Sequence, residues 1–157
     1  MKLDQKDFLI LKLLQEDANI TNKEIATATD LTITPVYERI KKLTSSGIIK
    51  SKIYVLDRKK LGLNLMVLIS VSLKQHLKES VNYFMSEIVK HNEVVECFHL
   101  TGSFDFHLKV YVNGMDQYQN FILNKLSAIN NIGHVESFFV MTEVKNTTNL
   151  YLSKVAI

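Results

Sequence analysis

Thr21 to Ile49 reads TNKEIATATDLTITPVYERIKKLTSSGII, and its punctuation predicts two short helices joined by a tight turn. Thr21 and Glu24 have the spacing of a capping box, in which each side chain accepts from the other's backbone amide. The first of these helices runs to about Thr29 over Ile25, Ala26 and Ala28, and the alanines are small enough to admit another helix closely. After Asp30-Leu31 the next helix starts with Thr32 or Thr34 as its cap. Pro35 falls in its first turn, where a missing amide costs little. At roughly 100° per residue, Val36, Ile40 and Leu43 share one face. Thr34, Glu38, Lys41, Lys42 and Ser45 lie opposite, Tyr37 and Arg39 flank the stripe, and Gly47 favours a left-handed stop.

Upstream, Asp4 to Glu16 predicts a helix capped by Asp4, with an apolar face wide enough for more than one neighbour. Downstream, Lys50 to Asp57 (KSKIYVLD) predicts a short basic-edged strand. Three helices and a strand make a winged helix-turn-helix, placed at residues 1–60 with the helix-turn-helix at about 21–46. The apolar stripe docks the second helix of the pair and leaves its far side free for a DNA major groove. Candidate contacts to double-stranded DNA are Thr32, Thr34, Pro35, Tyr37 and Glu38 at the start of that helix. Arg39, Lys41 and Lys42, with Lys50 and Lys52 on the wing, are candidates for neutralising phosphates. On pattern alone a helical bundle with a solvated polar face stays open, as does a protein-interaction module.

The composition agrees with a folded chain: of 157 residues, 46% are apolar and 22% charged. The net charge of +3 is unevenly shared. Residues 1–60 carry 12 Lys and Arg against 8 Asp and Glu, whereas residues 61–157 carry 7 against 8. A basic head on a near-neutral body suits nucleic-acid binding. The longest apolar run, Leu63 to Val71, is broken by Asn64 and Ser70, so no membrane association is expected. The opening MKLDQKDF places acids where a signal peptide needs a basic then apolar run. The single cysteine, Cys97, permits no intrachain disulfide, and a reducing, cytoplasmic setting is expected. Finger-type zinc sites lack ligands, and no metal or cofactor is expected.

Arg58 to Asn64 is a charged connector, and beyond it the rhythm changes. Strands are predicted at Leu65–Leu73, Val94–Leu100, Phe106–Val112 and Val135–Val144. Helices are predicted at Leu77–Lys90, burying Val81, Phe84, Met85, Ile88 and Val89, and at Met115–Asn130, burying Tyr118, Phe121, Ile122, Leu126 and Ile129. The order β-α-β-β-α-β makes residues 61–157 a ferredoxin-like sandwich, and the chain as a whole α+β. Helices cover one face of such a sheet, yet Met66, Leu68, Phe138 and Val140 supply apolar residues for the other. That pattern predicts a homodimer built sheet to sheet.

Four stretches together resemble the Lrp/AsnC (feast/famine) family of transcription regulators. They are Leu3–Leu11 (LDQKDFLIL), Leu31–Ile49, Val94–Phe106 (VVECFHLTGSFDF) and Val140–Lys145 (VMTEVK), in the family's order. The resemblance implies a DNA-binding head, a ligand-sensing and oligomerisation domain, and dimers that assemble further into octameric rings. It also implies a small effector, an amino acid or related metabolite, bound between dimers. The family's Gly-x-x-Asp turn falls on Gly102 and Asp105, which makes Thr101, Gly102, Ser103 and Asp105 candidate effector residues. Glycine exposes amides that suit a carboxylate, while Asp105 either meets an ammonium or fixes the turn. Val135 and Ser137 stand where some members carry two threonines near the effector, and Asn19 where many carry arginine.

Two other readings share this architecture. An architectural protein that wraps DNA with little specificity would use the same head. Enzymes resembling the sirohaem decarboxylases also share it and use histidine and arginine. Of the five histidines, His99 and His107 flank the turn on adjacent strands, but no triad, paired carboxylates or phosphate loop accompanies them. No catalytic residue is therefore assigned.

Overall fold

The computed structural model describes residues 2–152. Two compact units result: Met1–Val55 with the stretch from Lys145, and Leu56–Val144. The expected division at residue 60 thus differs in kind, because the C-terminal stretch joins the N-terminal unit.

The first unit holds α1 (Gln5–Glu16), α2 (Asn22–Thr29) and α3 (Ile33–Ser45) around Ile10, Ile25, Ala26, Val36 and Leu43. Asp4 and Thr21 each cap their helix through a capping box, with Asp7 and Glu24 closing it. Asp30 ends α2 in the left-handed region at φ 52°, a conformation aspartate tolerates better than most. Thr32 occupies the cap position of α3 without a side-chain bond, which resolves the choice between Thr32 and Thr34. Gly47, at φ 75°, turns the chain so that the amides of Ile48 and Ile49 both reach the Leu43 carbonyl. The expected wing strand at Lys50–Asp57 is not formed. A strand satisfies its amides only by pairing, and the other stretch of this unit, residues 145–152, carries no strand either.

The second unit is a four-stranded antiparallel sheet in the order β2-β3-β1-β4. Its strands are β1 (Leu65–Leu73), β2 (Val94–His99), β3 (Phe106–Val112) and β4 (Ile132–Phe139). Central β1 is buried because Val67, Ile69, Val71 and Leu73 meet Phe84 and Ile88 of α4 (Lys78–Ile88) in one core. Val89, expected inside, is exposed beyond the end of α4.

Two boundaries depart from expectation. The helix predicted at Met115–Asn130 is α5 (Met115–Asn120) continued by a π turn over Phe121–Leu126. Residues five apart point about 140° away from each other on an α-helix, whereas the wider π turn brings them closer to one side. Phe121 and Leu126 are both buried in this way. Strand β4 begins three residues early, because Asn131 at φ 73° redirects the chain and its side chain bonds both the amide and the carbonyl of Gln75. It ends at Phe139, paired with Val67, rather than at Val144; one more bond, from the Val140 amide to the Met66 carbonyl, follows before the pairing stops.

Candidate nucleic-acid interface and effector turn

Helix α3 presents Thr34, Pro35, Tyr37, Glu38, Lys41 and Lys42 to solvent, with Thr32 exposed at its cap. Its buried side, Val36 and Leu43, is what the apolar spacing required. Neither Lys41 nor Lys42 has an ion-pair partner among the described residues, and their charges stand free. Lys50 and Lys52 are exposed on the irregular stretch after α3 rather than on a wing.

Arg39 is different. Its guanidinium donates to Asp4 at 2.7 Å and to Asp7 at 2.6 Å, on α1 and its cap. The two carboxylates, Asp4 foremost, hold its proton more firmly than usual. The Asp4 carboxyl lies below its ordinary range, chiefly through the Asp7 amide and then, against a burial penalty, through Arg39. Arg39 is therefore engaged inside the unit.

In the second unit the turn 101–105 is fastened to the end of β1. The Asp105 amide donates to the Val71 carbonyl at 2.9 Å, and the Asp105 carboxylate accepts from the Leu73 amide at 2.7 Å. His76 approaches the same carboxylate at 3.0 Å. Asp105 thus fixes the turn, one of the two roles weighed for it. Gly102 takes φ 125°, which L side chains rarely adopt, and no atom lies near where a Cβ would stand. Thr101, Gly102 and Ser103 are exposed, and Ser72 Oγ donates to the Ser103 carbonyl at 3.0 Å.

Val135 pairs with Val71, so it and Asp105 both adjoin that one residue. Ser137 pairs with Ile69 one step further along, on the same helix-covered side of the sheet. Sequence reasoning missed His76, Ser72 and the Phe104–His134 ring pair, whose centroids lie 6.1 Å apart. Only the cross-strand register brings these to the turn, and no local pattern signals that register.

His99 and His107 do not form a shared site. His99 stacks on Phe106 at 4.8 Å on the core side of the sheet. His107 is on the opposite side, where its Nδ1 lies 3.1 Å from Ser70 Oγ. Among the described residues no group of three or more His, Cys, Asp or Glu is placed to hold a metal ion. None of the helices among them is long and apolar enough to cross a membrane.

Residues 3–50 match the family described as winged helix-turn-helix DNA-binding, and residues 66–150 match the Lrp/AsnC ligand binding domain. The chain is 36% identical to the transcriptional regulator AzlB of Bacillus subtilis, over 94% of each chain. It is 31% identical to the DNA-binding transcriptional activator DecR of Escherichia coli, over 94% of this chain and 97% of that one. Among solved structures it is similar to a Neisseria meningitidis transcriptional regulator in complex with L-Met. The TM-score is 0.90 at 32% identity, covering 95% of this chain and 96% of that one.

Proposed function

The chain belongs to the Lrp/AsnC family of DNA-binding transcription regulators, and from that premise we propose that α3 reads DNA while the second unit answers to an amino acid. The observation that carries the reading is the outward side of α3. Lys41 and Lys42 are exposed there without carboxylate partners among the described residues, beside Thr34, Tyr37 and Glu38. The lysines neutralise phosphates, and the residues near the start of the helix meet base edges. Thr32 and Pro35 sit at that same end, and Lys50 and Lys52 add phosphate contacts from the following stretch.

The protein works as a homodimer, with octamers of higher order. Support comes from the sheet face away from the helices, where Leu68 pairs with Phe138 and Phe138 is 51% exposed. Phe98 on β2 is likewise 51% exposed and lies opposite His107 on that face. Apolar residues so placed pack against a second layer. The effector contacts are Thr101, Gly102, Ser103 and Asp105 at the turn, with Val135 and Ser137 adjoining. An amino acid is the class favoured by exposed backbone at Gly102 and by the L-Met bound to the Neisseria relative. Regulation of this kind takes place in the cytoplasm and calls for no catalytic residue.

Two measurements test this. Lys41→Ala with Lys42→Ala lowers the salt dependence of DNA binding by about two counterions, and an unchanged slope removes both from the phosphate contacts. A thermal-shift screen of the twenty amino acids raises the melting temperature for a selective effector, and a flat screen overturns the amino-acid assignment.

A further inference from the structure

The outer side of α1 carries Lys12, Gln15 and Glu16, three and four residues apart and therefore on one side of the helix. They line one wall of a groove of about 240 Å³, and residues 149–152 line the other. Gln15 makes the decisive contact. Its Oε1 accepts from the Leu150 amide at 2.7 Å, and its Nε2 donates to the Leu150 carbonyl at 3.3 Å. A carboxamide bonded to both polar groups of one residue imitates the edge of a neighbouring strand. Leu150 and Tyr151 side chains remain exposed, so the recognition falls on backbone and not on side-chain identity.

We propose that this side of α1 is a docking site for an extended peptide, occupied by the chain's own residues 149–152. The stretch acts as a strap. The polypeptide leaves the helical unit after Val55 and returns to it at Lys145, so the sensing unit is inserted between two parts of the DNA-reading one. The strap, held to α1 by hydrogen bonds, gives the chain after the sensing unit a second attachment to the helices, independent of the 56–64 connector. Its regulatory use rests on the function proposed above, but the docking itself does not.

Hydrogen exchange resolved to single amides on the full chain tests it. In the wild type the Leu150 amide exchanges at least about tenfold more slowly than free chain. Gln15→Ala returns it to the free rate. Gln15→Glu, which keeps an acceptor for the Leu150 amide but loses the donor, leaves part of the protection. Ile25 and Leu43 amides, in the core of the helical unit, exchange alike in all three proteins and so separate undocking from unfolding. A Leu150 amide already at the free rate in the wild type overturns the proposal, and so does one indifferent to Gln15→Ala. Neither DNA nor effector enters the measurement, so its failure is distinct from failure of the regulatory reading.

Discussion

Asp4 and Asp7 each divide their two carboxylate oxygens between the other's backbone amide and the Arg39 guanidinium. Asp4 accepts from the Asp7 amide at 2.8 Å and Asp7 from the Asp4 amide at 3.0 Å. The remaining oxygens face Arg39 from 2.7 and 2.6 Å. The start of α1 and the middle of α3 are thereby joined, and Arg39 fixes the side that α3 turns outward.

Arg39→Met should therefore weaken the fold of the head without changing its charge contacts to DNA. It leaves Asp7, whose side chain is only 12% exposed, without its cation. The expected loss is about 1–3 kcal/mol in urea unfolding. DNA binding should weaken with an unchanged salt slope, in contrast to the Lys41 and Lys42 pair. A slope that falls by about one would return Arg39 to the phosphate contacts.

Acid should attack the same junction. The folded Asp4 carboxyl titrates below its unfolded value of about 3.9. Its contribution is fully present above that value and is lost as pH falls through the folded one. Asp4→Asn should flatten the pH dependence of unfolding below about pH 4. Asp4 is half exposed, so the effect is one of slope more than of size.

What the sequence made legible follows the range of the interactions. Capping boxes and apolar periodicity are local, and they placed α1, α2, β1 and β3. The wing strand failed because Ile53–Leu56 has strand-like residues but no strand partner among the described residues, and pairing is not a local property. The π turn was hidden because Phe121 and Leu126 satisfy a helical period only if the period itself changes. The pairing of Arg39 was hidden because nothing near it in sequence reveals Asp4 and Asp7, more than thirty residues away. For Asp105 the alternative of fixing the turn was legible, while the Leu73 amide that gives that role its geometry was not.

Two glycines should fail for different reasons. At Gly102 a Cβ meets nothing, so Gly102→Ala costs only the strain of φ 125°, about 1–3 kcal/mol. At Gly133 a Cβ comes to 3.3 Å from three backbone atoms of Ser72, Leu73 and Lys74. Gly133 is the unpaired residue where the β1–β4 register shifts between Ser72 and Leu73. A Cβ there presses on backbone, so Gly133→Ala pushes β4 away from β1, at a cost of about 1–3 kcal/mol. Amide exchange distinguishes them: Gly133→Ala loosens the β1–β4 ladder, and Gly102→Ala leaves it intact. Equal exchange in the two variants would sink this distinction.

Glu93 and Lys125 form an ion pair between the approach to β2 and the π turn, with the Glu93 side chain only 11% exposed. The second oxygen of Glu93 is buried with no hydrogen-bond partner among the described residues. Burial alone would raise this carboxyl, yet the Lys125 ammonium, with a smaller contribution from His91, holds it below its ordinary value. The pair therefore stabilises the fold above the unfolded value of about 4.3 and ceases to do so as pH falls through the folded one. Lys125→Met abandons a buried carboxylate and should cost about 1–3 kcal/mol at pH 7. Glu93→Gln should cost less, because the Lys125 ammonium can turn to solvent. The gap between wild type and Lys125→Met should narrow as pH falls through the lowered value of the wild-type carboxyl, where Glu93 takes up a proton in both proteins. Urea titrations at pH 7 and pH 3.5 measure it, and a gap independent of pH would show that the lysine acts through its packing and not its charge.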